Sequence, residues 1–315
     1  MDYKNLGRSG LKTAPVVLGG NVFGWTLNEK ESVAILDEAF DLGFRTIDTA
    51  NSYSHWVEGN TGGESETIIG KWMKHWGDRD RITIITKVGS AMGSGRRDIS
   101  EKHIIQAAED SLRRLQTDYI DLYLTHWDDG VTPVEETLGA YRKLIKAGKV
   151  RHIGASNLSL PRLKESLDAA KNQGLTGYEV LQPEYNLYDR RHFEEELAPF
   201  CEQEGLGVIT YYSLASGFLT GKYRSEADLN KSPRGAGIKK YLNDRGSRIL
   251  AVLDKVASGY RVSPSAVALA WLIQKPVVTA PIASATKSSH LRSFTDAVAL
   301  RLSDEDMKLL DLASM

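Results

Sequence analysis

Short runs of branched and apolar residues recur along the chain, each followed by a stretch with helical spacing. This alternation is what most limits the folds open to the chain. The runs are Val16–Gly20, Arg45–Asp48, Ile82–Lys87, Ile120–Leu124, Val150–Ala155, Tyr178–Leu181, Gly207–Tyr212 and Val277–Ile282. They are largely apolar along their length rather than alternating, the pattern of parallel strands covered on both faces. Between them lie amphipathic stretches at Lys30–Leu42, Glu64–Lys74, Ser100–Leu115, Pro133–Ala147, Leu160–Asn172 and His192–Glu204, then a pair at Ser247–Gly259 and Ser263–Gln274. Ser100 reads as an N-cap, Pro133 as a helix opening, and Gly43, Gly148 and Gly205 as stops. Eight such strands favour closure into a (β/α)8 TIM barrel, an α/β architecture, over an open doubly wound sheet. An open sheet usually carries Gly-x-Gly-x-x-Gly after its first strand, and Gly19-Gly20-Asn21-Val22-Phe23-Gly24 does not keep that spacing. Gly7 and Gly10 predict an N-terminal β-hairpin within Tyr3–Val17, and Leu302–Ala313 an extra C-terminal helix on the outside. No linker, repeat or low-complexity tract divides the chain, so 1–315 reads as one barrel domain.

Composition removes several classes of function. With 315 residues, 41% of them hydrophobic, the chain can bury a large core. A net charge of -1 provides no field for nucleic acid or a membrane surface. Met1-Asp2-Tyr3-Lys4-Asn5 has no signal core, and no apolar run is long enough to span a bilayer. Cys201 is the only cysteine, which excludes an intrachain disulfide and a cysteine metal cluster and leaves it a packing role. The expectation is a cytoplasmic protein without a nucleic-acid or membrane partner, either monomer or homo-oligomer, and with no metal.

In a barrel of this kind the chemistry sits at the C-terminal ends of the strands. Asp48 follows the second strand, Tyr53 lies on its loop, Lys87 ends the third and His126 follows the fourth. Singly, such a lysine is usually solvated and such a histidine a satisfied polar residue. Converging on one rim, they make a proton donor. Lys87 as ammonium would draw the Tyr53 pKa down, Asp48 would hold Lys87 charged, and His126 would orient a carbonyl oxygen.

Here the residues resemble a known family. Asp48-Thr49-Ala50-x-x-Tyr53, Thr86-Lys87 and Leu124-Thr125-His126-Trp127 are similar to the catalytic tetrad motifs of the aldo-keto reductases. Gly148-Lys149-Val150-Arg151-x-Ile153-Gly154-x-Ser156-Asn157 and Leu214-Ala215-Ser216-Gly217-Phe218-Leu219-Thr220-Gly221-Lys222 extend the resemblance along nearly the whole chain. The resemblance implies an NAD(P)(H)-dependent oxidoreductase interconverting a small aldehyde or ketone and its alcohol, with Tyr53 as general acid. It further implies that Ser156, Asn157 and Gln182 hold a nicotinamide carboxamide and that Tyr211 stacks on its ring. Leu214, Ser216, Gly217 and Lys222 match a pyrophosphate loop, with Tyr212 and Ser213 standing where many relatives have Ser and Pro. Gly20 and Asn21 join the cofactor set, and Asp48 belongs to it as well as to the tetrad. At the adenosine end Ser284, Thr286, Lys287 and His290 are the candidates. His290 replaces a common Arg or Gln, and Ser293-Phe294 a common Glu-Asn. No acidic residue lies in Ala283–Leu291 to claim a free ribose hydroxyl, which favours NADP(H) over NAD(H).

Phe23, Trp25, Trp56 and Trp127 fall in or beside loops at the same rim and suit a flat or sugar-like substrate, or simply pack the loops. The polar segment Arg224–Arg248, basic at Lys239-Lys240, Arg245 and Arg248, reads as a solvated face or as a clasp over the cofactor. The potassium-channel β subunits share the resemblance, so a cofactor-binding regulatory subunit with little turnover is the alternative. A metal-assisted barrel enzyme needs more carboxylate or histidine ligands at strand ends than Asp48 and His126 supply.

Overall fold

The computed structural model describes residues 1–93 and 95–315. Lys4–Asn5 (β1) and Lys12–Thr13 (β2) pair antiparallel as the N-terminal hairpin. Eight parallel strands then close on themselves: Val17–Gly19 (β3), Thr46–Asp48 (β4), Thr83–Val88 (β5), Ile120–Thr125 (β6), Val150–Ser156 (β7), Val180–Gln182 (β8), Gly207–Thr210 (β9) and Ala280–Ala283 (β10). Each pairs with its sequence neighbour, and β10 returns to β3 through Ile282 opposite Val17. The architecture read from the alternation is the one observed, with most strands a residue or two shorter or shifted.

The helices outside the sheet are Glu29–Asp41 (α1), Glu64–Trp76 (α2), Glu101–Leu115 (α3), Val134–Lys146 (α4), Leu160–Gln173 (α5), Ala198–Glu204 (α6), Asp244–Tyr260 (α7), Pro264–Ile273 (α8), Ser288–Ala299 (α9) and Asp304–Ala313 (α10). Their ends follow capping chemistry. Asn28 and Glu31 form a capping box on α1, and Ser100, Ser159, Ser263 and Ser303 accept the N3 backbone N–H of α3, α5, α8 and α10. The stretch His192–Glu204, expected as one helix, opens with a π turn over Phe193–Leu197. Pro199 has no N–H to give to the carbonyl four residues back, so the ladder is broken there.

Two apolar layers result. Val17, Ile85, Leu122, Leu124, Val180, Ile209 and Ile282 fill the barrel interior, joined from below by Leu6 of the hairpin. A larger layer lies between sheet and helices, and Cys201 is buried within it. The interior being filled with aliphatic side chains, the polar strand-end residues are left to the C-terminal mouth.

Candidate active site

Lys87 points from β5 into the mouth of the barrel with 0% of its surface exposed. Its three ammonium protons are all committed: to Asp48 Oδ2 at 2.7 Å, to the Thr49 carbonyl at 2.7 Å and to the Tyr53 hydroxyl at 2.8 Å. The other Asp48 oxygen, Oδ1, accepts from Gln182 Nε2 at 2.8 Å, across the barrel on β8. The Tyr53 hydroxyl donates to Asp48 Oδ2 at 3.3 Å, a long bond beside the short ones made by Lys87. The strand register explains the convergence, because Gly19 of β3 stands opposite Asp48, and Lys87 is two residues beyond Ile85, the last β5 partner of β4, on the same face of its strand. The His126 backbone N–H donates to Val88, its Nδ1 lies 2.8 Å from Ser90 Oγ, and its ring centroid is 6.1 Å from that of Tyr53.

Burial decides the protonation of this cluster. It pushes the Tyr53 phenol well above 10, and the Asp48 carboxylate adds to the rise. The expected lowering by Lys87 is therefore outweighed, although its ammonium touches the phenol oxygen. Burial also draws Lys87 down while Asp48 holds it up. His126 falls well below 6.5 through burial, with Lys87 and Arg97 adding to the fall. At neutral pH the arrangement presents a protonated phenol beside a neutral imidazole. Such a pair is able to donate a proton to an oxygen.

A cavity of about 880 Å³ runs from this cluster along the barrel rim. Asp48, Tyr53 and His126 face it, as do Asn21, Ser156, Asn157, Gln182, Tyr211, Tyr212, Ser213, Leu214, Ser216, Gly217, Lys222, Ser284, Thr286 and His290. Ser156 donates to the Gln182 carbonyl, Asn157 Nδ2 to Ser156 and to the His126 carbonyl, and Tyr211 to Asn157 Oδ1. Beyond them Tyr212, Ala215 and Ser216 have φ of 52°, 47° and 56°. Left-handed backbone at non-glycine residues is costly and gathers at ligand clamps. At the far end His290 Nδ1 accepts from the Thr286 N–H, and Lys287 and Lys222 both act with burial to lower His290 to about 4. An elongated cavity with amide and hydroxyl groups at one end and Lys222 on its wall towards the other fits a nicotinamide dinucleotide.

Some of the expected residues stand off the cavity wall. Phe23 is fully buried in the core and cannot touch a ligand. Trp25 stands behind Trp56, edge-on with centroids 5.5 Å apart, whereas Trp56 and Trp127 face the cavity. Gly20 is packed beneath, where a Cβ would come within 3.0 Å of Ser65 Oγ and 3.1 Å of the Asp48 carbonyl. Lys287 is exposed as the residue preceding α9. In the Arg224–Arg248 segment, three of the four basic residues singled out from the sequence are tied elsewhere: Lys239 to Glu226, Lys240 near Asp189 and Arg245 to the Ser314 carbonyl. A basic residue of the segment that does reach the cavity is Arg234, beside Ser232 and Pro233, 3.3 Å from Asn21 Oδ1 and 5.2 Å over the Trp25 ring. Ser90, His55 and Glu184 also face the cavity, and as isolated polar residues in loops they carried no periodicity or spacing that marked them.

Known proteins align with the chain from end to end. It is 36% identical to the "Probable voltage-gated potassium channel subunit beta" of Oryza sativa subsp. japonica, over 92% of this chain and 89% of that one. With "Aldo-keto reductase YhdN" of Bacillus subtilis (strain 168) it shares 32% identity over 98% and 92%. With the "Versiconal hemiacetal acetate reductase" of Aspergillus parasiticus it shares 31% over 99% and 96%. The family model described as "Aldo/keto reductase family" matches residues 15–314, all eight barrel strands included. The barrel and these matches together make the chain a member of the aldo/keto reductase family, oxidoreductases that use a nicotinamide cofactor on small carbonyl compounds.

Proposed function

We propose that this protein reduces an aldehyde or ketone with NADPH, Tyr53 giving the proton. The observation that carries the reading is the buried Lys87 with its three protons spent on Asp48, Thr49 and Tyr53. A nicotinamide dinucleotide bound along the cavity supplies the hydride. Ser156, Asn157 and Gln182 hold its carboxamide end, Tyr211 covers the ring, and Lys222 with Arg234 meets the phosphates. His126 has Nδ1 engaged with Ser90 and donates from its other nitrogen to the carbonyl oxygen, fixing it beside the phenol. Tyr53 then protonates that oxygen as charge develops on it, which is general acid catalysis. The raised phenol pKa keeps the donor loaded at neutral pH and suits the reductive direction.

The choice of NADPH rests on Lys222, Lys287 and His290 near one another at the far end of the cavity. Of the carboxylates among the described residues that face the cavity, Asp48 is spent on Lys87, Glu31 caps α1, and the Glu184 carboxyl is hydrogen-bonded with Asp189. A 2′-phosphate would therefore meet the charges of Lys222 and Lys287 at that end.

Oxidation of NADPH and of NADH by the purified protein against aromatic, aliphatic and hydroxylated carbonyls tests the reading. Tyr53→Phe should lower turnover by about 10²–10⁴ with cofactor affinity unchanged. Full turnover in Tyr53→Phe would end the assignment. The similarity to the potassium-channel subunit supports a second reading, a cofactor-binding subunit with little turnover. NADPH binding without turnover on any carbonyl would favour it.

A further inference from the structure

We propose that His55 is a specificity-determining residue that accepts a hydrogen bond from a hydroxyl on the substrate, so that the enzyme prefers hydroxylated carbonyl compounds over alkyl ones; the proposal rests on the reductase reading above. His55 lies two residues beyond Tyr53 and faces the same cavity. Its ring Nδ1 is 2.7 Å from the Ser52 carbonyl. A carbonyl oxygen can only accept, so Nδ1 carries the hydrogen and Nε2 of the neutral ring is a bare acceptor.

The loop is built to hold this ring in place. Ser54 has φ 71° and donates from Oγ to the Phe23 carbonyl at 2.8 Å, so a strained, buried turn separates Tyr53 from His55. Asn60 Nδ2 clips the same loop to the carbonyls of Gly24 and Ser54. The His55 backbone N–H donates to the same Ser52 carbonyl, so the backbone and the ring Nδ1 are held to one acceptor. The Trp56 ring stands edge-on to both His55 and Tyr53, with centroids 5.4 Å and 6.2 Å away. A carbonyl compound placed at the Tyr53 hydroxyl thus has indole surface beside its carbon skeleton and a lone pair from His55. An alkyl tail satisfies the indole but not the nitrogen. A hydroxyl-bearing tail satisfies both.

The test compares kcat/KM for aldehydes matched in chain length, glyceraldehyde against propanal and erythrose against butanal, in the wild type, His55→Phe and His55→Gln. The wild type should favour the hydroxylated member of each pair. His55→Phe keeps a ring against Trp56 without the acceptor and should lose roughly tenfold of that preference, the scale of one hydrogen bond. His55→Gln restores an acceptor and should recover part of it. Equal loss on both members of each pair would make His55 a packing residue, and a wild type indifferent to the hydroxyl would overturn the proposal outright. If neither series is turned over while NADPH still binds, the reductase reading fails and this proposal with it. Turnover without discrimination leaves the reductase standing and removes only His55.

Discussion

Lys87 is a cation with no water around it, and its charge is tolerable only because three acceptors surround it. Asp48, 2% exposed, depends on Lys87 and Gln182 in the same way. Removing one partner of a buried pair strands the other charge, at a cost of about 3–5 kcal/mol, whereas removing both is far cheaper. Lys87→Met should therefore lower the unfolding free energy by about that amount. The double variant Asp48→Asn/Lys87→Met should be more stable than Lys87→Met alone. Urea unfolding of the three proteins at pH 7 checks this; a Lys87→Met cost of less than about 1 kcal/mol would mean that the pair is solvated after all. Asp48, Tyr53, Lys87 and His126 could be picked out from the sequence because each ends or follows an apolar run. Phe23 and Arg234 could not be placed that way. Phe23 has the type and loop position of a ligand contact but turns into the core, and Arg234 gains its importance from a fold-back that brings it to Asn21.

At the scale of elements, the hairpin is more than an N-terminal extension. Leu6 enters the barrel interior from below, and the backbone of Gly7 lies directly against that of Gly207 at the start of β9. A Cβ on Gly7 would sit 2.2 Å from the Gly207 nitrogen, and its φ of 58° disfavours any other residue. Gly7→Ala should thus push the hairpin off the barrel floor and cost roughly 1–3 kcal/mol, read as a lowered thermal midpoint. Gly10 has φ 77° but open space around it, so Gly10→Ala should cost less, which separates contact from conformation. The sequence announced the hairpin through these glycines but not its contact with β9, since that depends on residues 200 positions away. Conversely, α9 went unrecognised. Leu291, Phe294 and Ala297 have helical spacing, but Lys287 makes no side-chain capping bond, and the stretch before it was read for its cofactor chemistry.

For the whole molecule, the closed order of the strands was legible because eight buried parallel strands have few other ways to satisfy both faces. What a linear reading could not supply was burial, and burial reverses the sign of one expected effect, as Tyr53 shows. The same property sets the acid limit of the fold. His126 lies well below the ordinary 6.5 and His290 is lowered to about 4, both chiefly through burial. Between 6.5 and those lowered values the unfolded chain binds protons that the folded chain refuses. Unfolding free energy therefore falls as pH falls, and the full stability is present only above about 6.5. Asp98 and Asp129 act in the same direction over a lower window, because burial, which would raise their pKa values, is outweighed by hydrogen bonds that favour their charged forms. Their contribution is complete above the usual carboxylate range and disappears only below about 4. Acid destabilisation should accordingly begin near pH 6.5 with the histidines and steepen near pH 4 as these carboxylates are protonated. Thermal midpoints measured from pH 7.5 to 4 should show the early decline, and His290→Gln, which cannot take up a proton in either state, should make it shallower between pH 6.5 and 4.5. A midpoint constant down to pH 5 in the wild type would mean that both histidines take up protons as readily in the folded protein as in the unfolded chain, and would overturn their lowering by burial.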